Sequence, residues 1–256
     1  MNRNFGRLLA VETMKARRAP VFAICTAIIV LAPALLAAAA ILALRANSSS
    51  SFAAKARLLV HGTEWAGYVG TGAEVMAVAV LLCLGFGFAW CFGREFTEDT
   101  VVGLFCLPMG RGAIALAKCT VLLVWSVLVS IASTLVLLGV GLALGDLGSQ
   151  PPRWWLPLGV CLLTACNTVP LAWLATVTRG YLGAVGGLIG LVVATQLVTA
   201  FGGGGWFPWA VPGLWAGFGG AGIQVGGIQF VLPVVVALIS VGATTKRWRG
   251  RELGNA

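Results

Sequence analysis

The chain has 256 residues, of which 59% are hydrophobic and only 10% charged, with a mean hydropathy of +0.96. A soluble domain of this size needs about a quarter of its residues charged to cover its surface, so an ordinary water-soluble fold is excluded. The formal charge of +9 does not indicate nucleic acid. Its basic residues cluster beside apolar runs, where they suit membrane topology and anionic headgroups.

Repeated apolar runs of about 20 residues predict an all-α membrane protein with six transmembrane helices in a single transmembrane domain. Residues 1–19 are basic and partly amphipathic, with Phe5, Leu8, Leu9 and Ala16 on one helical side and Arg3, Arg7 and Arg18 broadly opposite. They read as an N-terminal interfacial helix and equally as a positive-inside anchor. Residues 20–93 hold spans 1 and 2, about Val21–Leu44 and Gly70–Phe92. The first is too long for a signal-peptide apolar core of about 7–15 residues and is read as retained. Between them lies a polar loop with His61, Trp65 and Tyr68, and Glu74 falls about one turn inside the outer end of span 2.

Residues 94–112 form a polar segment that reads as a cytoplasmic coupling helix. Thr97 is placed to cap it, Glu98 and Asp99 occupy its first turn, Val101, Leu104 and Phe105 make an apolar face, and Pro108 with Gly110 stops it. A short amphipathic helix held between two spans suits a partner's groove. The alternative is a helix lying on the lipid surface, which the acids disfavour. Residues 113–201 carry spans 3 to 5, about Ala113–Leu144, Leu156–Val177 and Tyr181–Phe201. Gly183, Gly186, Gly187 and Gly190 give two overlapping GxxxG spacings for close helix packing, internal or between subunits. Residues 202–226, rich in glycine and aromatics, read as a broken, re-entrant or interfacial outer element. Residues 227–256 supply span 6 and a basic tail.

Of the seventeen Lys and Arg residues, thirteen fall on the predicted inner side: Arg3, Arg7, Lys15, Arg17, Arg18, Arg94, Arg111, Lys118, Arg179, Lys246, Arg247, Arg249 and Arg251. Arg45, Lys55, Arg57 and Arg153 fall outside. That asymmetry supports an N-in, C-in orientation.

Several chemistries are missing from the residues. No lysine follows a glycine, so there is no GxxxxGK[ST] phosphate loop. The only histidine, His61, lies in the outer loop, and the seven cysteines are scattered without a CxxC pair. No catalytic role, no metal site and no structural disulfide is expected. No ionisable residue is placed at a span centre, which argues against an ion-coupled pump and for energy entering elsewhere. Thr164, Asn167, Thr168, Thr195 and Gln196 are candidate substrate-path residues, set against their more ordinary reading as interhelical hydrogen-bond partners.

The pattern GREFTEDTVVGLFCLPMGRGAIALAK resembles the loop of bacterial drug-export ABC permeases, with Gly93, Glu95, Phe96, Thr100, Leu104, Pro108, Arg111 and Lys118 in register. The N-terminal Glu12, Lys15, Arg17 and Arg18 are also similar to that family. The chain as a whole resembles the permease subunit of a type-2 ABC exporter, most like the bacitracin- and lantibiotic-resistance permeases. The resemblance implies a half-transporter in the bacterial plasma membrane, paired with a second permease subunit as a homo- or heterodimer and surrounded by membrane lipids. A cytosolic ABC ATPase subunit would carry ATP and Mg, and this chain no cofactor. It implies that Arg94, Glu95, Phe96, Glu98, Asp99, Thr100, Leu104, Pro108 and Arg111 couple to the ATPase, with Glu12, Lys15, Arg17 and Arg18 at the interface beside them. The exported substrate would be an amphiphilic drug, antimicrobial peptide or lipid. The alternative is a non-transporting immunity or sensor protein that binds an amphiphile at its outer face.

Overall fold

The computed structural model describes all residues except 1, 47–49, 61–63, 102, 104–109, 146, 149–151, 203, 219–224 and 251–256. The chain is all-helical among the described residues. In order it forms α1 (Asn2–Arg18), α2 (Pro20–Arg45), α3 (Ser51–Leu59), α4 (Glu64–Thr97), α5 (Arg111–Leu144), α6 (Trp155–Thr168), α7 (Pro170–Val177), α8 (Tyr181–Ala200), α9 (Val211–Ala216) and α10 (Val231–Arg249). Six helical stretches are long and apolar enough to cross a membrane: Pro20–Arg45, Trp65–Thr97, Arg111–Leu144, Trp155–Val177, Tyr181–Ala200 and Gly227–Arg249.

Prolines set several boundaries. Pro20 occupies the first turn of α2, where its missing N–H removes nothing. Pro33 lies inside α2 and is tolerated there, buried among its neighbours. Pro170 splits the fourth span into α6 and α7, because its ring cannot donate into the helix ladder.

The bundle has two large apolar cores, with a smaller cluster of Ala73, Ala77, Val160 and Ala216 beside them. One joins Phe88, Phe92, Ile114, Leu122, Leu171 and Trp248. The other joins Ile29, Tyr68, Met76, Val80, Leu84 and Leu137. Polar ties between spans include Ser133, which donates to the Ile29 carbonyl at 2.7 Å, and Tyr68, which donates to the Leu137 carbonyl at 2.8 Å. Outward positions such as Leu35, Leu128, Leu135, Leu182 and Leu238 are apolar and exposed, as a lipid-facing surface requires.

Several expected boundaries move. The hydropathy pattern predicts span 2 at about Gly70–Phe92, but α4 runs from Glu64 to Thr97. Glu74 therefore lies nearly three turns from the start of its helix, buried, and not one turn in. At its other end α4 continues through Arg94–Thr97 into the expected coupling segment. Thr97 does not cap a new helix; it closes α4, and its hydroxyl donates back to the Gly93 carbonyl at 3.2 Å. The helix continues because Arg94 and Glu98 pair at 2.7 Å across one turn and Glu95 is anchored to α5. Asp99 then breaks it with a φ of 53°. Val101 and Gly103 are helical, while Leu104, Phe105 and Pro108 lie outside the described residues.

The outer loop between spans 1 and 2 contains α3, capped by Ser50, whose hydroxyl accepts from the Ala53 amide at 3.2 Å. The basic tail after span 6 is helical to Arg249, because Trp248 is fully buried against Phe92 and Phe96 and donates to Thr176 Oγ1 at 3.1 Å. The 202–226 element holds a 3-10 turn, Gly204–Trp206, and α9. Pro208 accepts from Asn167, which sits twelve residues into α6, about 18 Å along it.

Candidate functional site

Near the junction of α1, the end of α4 and the start of α5, four charged side chains gather. Glu12 and Lys15 sit one turn apart on α1, Glu95 on α4 and Lys118 on α5. Lys118 Nζ lies 2.8 Å from Glu12 Oε2 and 2.7 Å from Glu95 Oε1. Lys15 Nζ bridges the same two acids at 2.9 and 3.3 Å from the rim. The Lys118, Glu12 and Glu95 side chains are 2%, 4% and 8% exposed, and Lys15 46%.

Two acids against two lysines make the cluster formally neutral, the condition under which buried charge is tolerated. Burial pushes the Glu12 carboxyl up, but the charge and hydrogen bond of Lys118, with those of Lys15, outweigh it and hold Glu12 below its ordinary value. Glu95 Oε2 is buried with no hydrogen-bond partner among the described residues. Beside the cluster opens a cavity of ≈ 390 Å³ that reaches Cys91, Arg94, Glu98, Thr100 and Gly103. Arg94 stacks over the Trp90 ring at 4.9 Å.

Two further contacts weld this end of the bundle. Gly93 is needed for close approach, since a Cβ there would run into the backbone of Gly180 and Tyr181. Gly112 lets the start of α5 meet Arg249 of α10, 2.6 Å from where its Cβ would stand. Both terminal helices thus join the same end of α4 and α5.

The predicted coupling and interface residues divide. Glu12, Lys15 and Glu95 come together. Arg94, Glu98, Asp99 and Thr100 stay on the exposed turn beside them, and Phe96 packs on Trp248 instead. Thr100 donates weakly to the Glu95 carbonyl at 3.4 Å. Arg111 begins α5, and Arg17 and Arg18 are exposed at the end of α1, away from the cluster's ion pairs. Leu104 and Pro108 lie outside the described residues. Lys118 was noted in the loop pattern but given no role. Its one available signal was a lone lysine in an apolar helix, which demands an acidic partner.

The candidate path residues do not form one channel. The Thr164, Thr168 and Thr195 hydroxyls donate to carbonyls of their own chain neighbours Val160, Ala165 and Leu191. Thr164, Thr195 and Gln196 line a cavity of ≈ 180 Å³ between α4, α8 and the outer element. Asn167 is occupied otherwise: its Nδ2 donates to the Pro208 carbonyl at 2.7 Å, and Trp209 Nε1 donates to its backbone carbonyl at 2.9 Å. The glycine spacings on α8 also divide. A Cβ at Gly183 would strike Thr178 and one at Gly187 would strike Leu174, whereas Gly186 and Gly190 meet nothing within 4 Å.

No group of His, Cys, Asp or Glu fit to hold a metal ion occurs among the described residues. Residues 8–197 match the model of a family described as ABC-2 family transporter protein. That range takes in most of α1, the ion cluster, the first four candidate spans and most of the fifth. No curated protein matches the chain.

Proposed function

Since the chain belongs to the ABC-2 family of transporters and is a multi-pass membrane permease subunit of an ABC transporter, we propose that it is driven by a separate cytosolic ATPase and exports an amphiphile. The drug, antimicrobial-peptide and lipid-like molecules named by the sequence resemblance are the substrate class. The bacterial plasma membrane is its place, and a second permease subunit completes the pathway. This chain binds no ATP and performs no catalysis; ATP and Mg sit on the partner.

One observation carries the reading. The ion cluster fixes α1 and α5 to the last turn of α4, immediately before the exposed Glu98–Thr100 turn. A push on that turn is delivered to three helices at once, because buried, mutually paired charges resist separation. Glu95 belongs to this brace and not to the docking surface. Glu98 and Asp99 are the exposed acids beside it.

The test replaces 98–110 with a Gly/Ser linker and purifies the chain with its partner ATPase. Loss of copurification, with the chain still folded, is the expected result. Undiminished association removes the coupling assignment. Resistance to membrane-active antibiotics that persists in cells without any partner ATPase would instead favour the immunity or sensor reading.

A further inference from the structure

At the opposite end of α4 from the ion cluster lies a second buried acid that the coupling role leaves unused. Glu74 is 5% exposed. Its carboxylate lines a cavity of ≈ 210 Å³ bounded by Val69, Thr71, Leu156, Trp215 and Arg153. No hydrogen bond or ion pair reaches that carboxylate from any described residue. The nearest hydroxyl on its helix, Thr71, is spent on the Gly67 carbonyl at 2.9 Å. The fold nevertheless makes room for the acid. Gly217 stands with φ 130°, and a Cβ there would lie 2.7 Å from Glu74 Oε1. A second glycine, Gly159, admits the Trp215 ring beside it.

An isolated buried carboxylate is costly unless a cation or donor arrives to meet it. Arg153, exposed at the mouth, is the obvious internal candidate, yet it makes no ion pair with Glu74 within 4.0 Å. The cavity therefore presents an anion in its depth and a cation at its rim, held apart, with indole and aliphatic walls between. Trp154 and Trp155, which follow Arg153 in the chain, are exposed and in edge contact with each other, as suits aromatics in a headgroup layer.

We propose that this cavity binds the zwitterionic head of an amphiphile, with an ammonium against Glu74 and a phosphate or carboxylate against Arg153. Phosphoethanolamine chemistry fits: its two charges are a few bonds apart, and a lipid bearing it lies at this level of the membrane. The site is independent of whether an ATPase drives the chain.

Native mass spectrometry of the full-length chain in maltoside detergent tests it with soluble probes. Dihexanoylphosphatidylethanolamine should bind at least tenfold more tightly than its N-acetylated form, which lacks the ammonium, and than dihexanoylphosphatidylglycerol. Glu74→Gln should erase that preference. Arg153→Gln should weaken the zwitterion several-fold while leaving dodecylamine unaffected. Free phosphoethanolamine should bind far more weakly than the lipid, and equal binding would overturn the amphiphile assignment. Equal affinity of wild-type protein for the lipid and its N-acetylated form would overturn the site itself, without recourse to any variant. An unchanged preference in folded Glu74→Gln protein would do the same.

Discussion

Lys118 shows how a single side chain can organise three helices. It sits 106 residues from Glu12 in the chain yet 2.8 Å from it in space, with Glu95 at 2.7 Å. Removing it as Lys118→Met leaves two buried acids with only half-exposed Lys15 for company, and such orphaned charge typically costs about 3–5 kcal/mol. The sign of the pH dependence checks the cause. In the wild type, Glu12 is held below its ordinary value of 4.5. Its contribution is complete above that value and is lost as pH falls through the lower folded value. In Lys118→Met protein the burial that pushes the Glu12 carboxyl up loses its main counterweight, so the penalty of the substitution should shrink on acidification. Thermal unfolding in detergent between neutral and acid pH should show the two proteins converging. A constant gap would mean that Lys118 acts through packing alone. At this scale the sequence was half legible: Glu12, Lys15 and Glu95 stood out as charges in apolar or patterned surroundings. Their meeting point was hidden, because no local spacing records a contact between three helices.

The helices themselves were largely readable, since runs of apolar residues long enough to span leave few alternatives. Errors fell at their ends, where propensity gives way to tertiary contact. Thr97 looked like a cap because Glu98 and Asp99 follow it, but the Arg94–Glu98 pair and the anchored Glu95 carry α4 past it. Trp248 looked like part of a basic tail, but its burial against Phe92 and Phe96 extends α10 to Arg249. On α8 two overlapping glycine spacings looked equivalent and proved to face different surroundings. Gly187 packs on Leu174, whereas Gly190 opens to empty space on a helix whose apolar window is only 11% buried. Gly187→Val should therefore lower thermal stability by about 1–3 kcal/mol through overpacking. Cysteine at Gly190 should yield a crosslinked dimer in membranes if α8 pairs subunits through its open face. A monomeric Gly190→Cys protein under oxidation would assign that face to lipid.

Across the whole molecule, the six candidate spans bring α1 and the end of α10 to one end of the bundle, the end that also holds the Glu98–Thr100 turn. From the distribution of Lys and Arg in the sequence, that end is expected to face the cytoplasm. Impermeant thiol labelling tests the assignment. Trp206→Cys, at a position 70% exposed on the far element, should react in intact cells, and Arg17→Cys only after permeabilisation. The reverse pattern would invert the protein in the membrane and detach the brace from any cytosolic motor. The family match and the span count were foreshadowed by the loop pattern and by hydropathy. The contact between Asn167 and Pro208 of the 202–226 element has no signal in the sequence, because glycine and tryptophan serve a surface loop equally well. What neither pattern revealed is the unbroken length of α4. It is one uninterrupted rod of 34 residues, with Glu74 and Glu95 twenty-one residues, about 32 Å, apart along it. A rod clamped at one end by paired charges, and tipped at the other by an acid with no partner among the described residues, has the form of a lever. On the proposed reading, an occupant at the far tip and a push at the brace would therefore act on a single moving part.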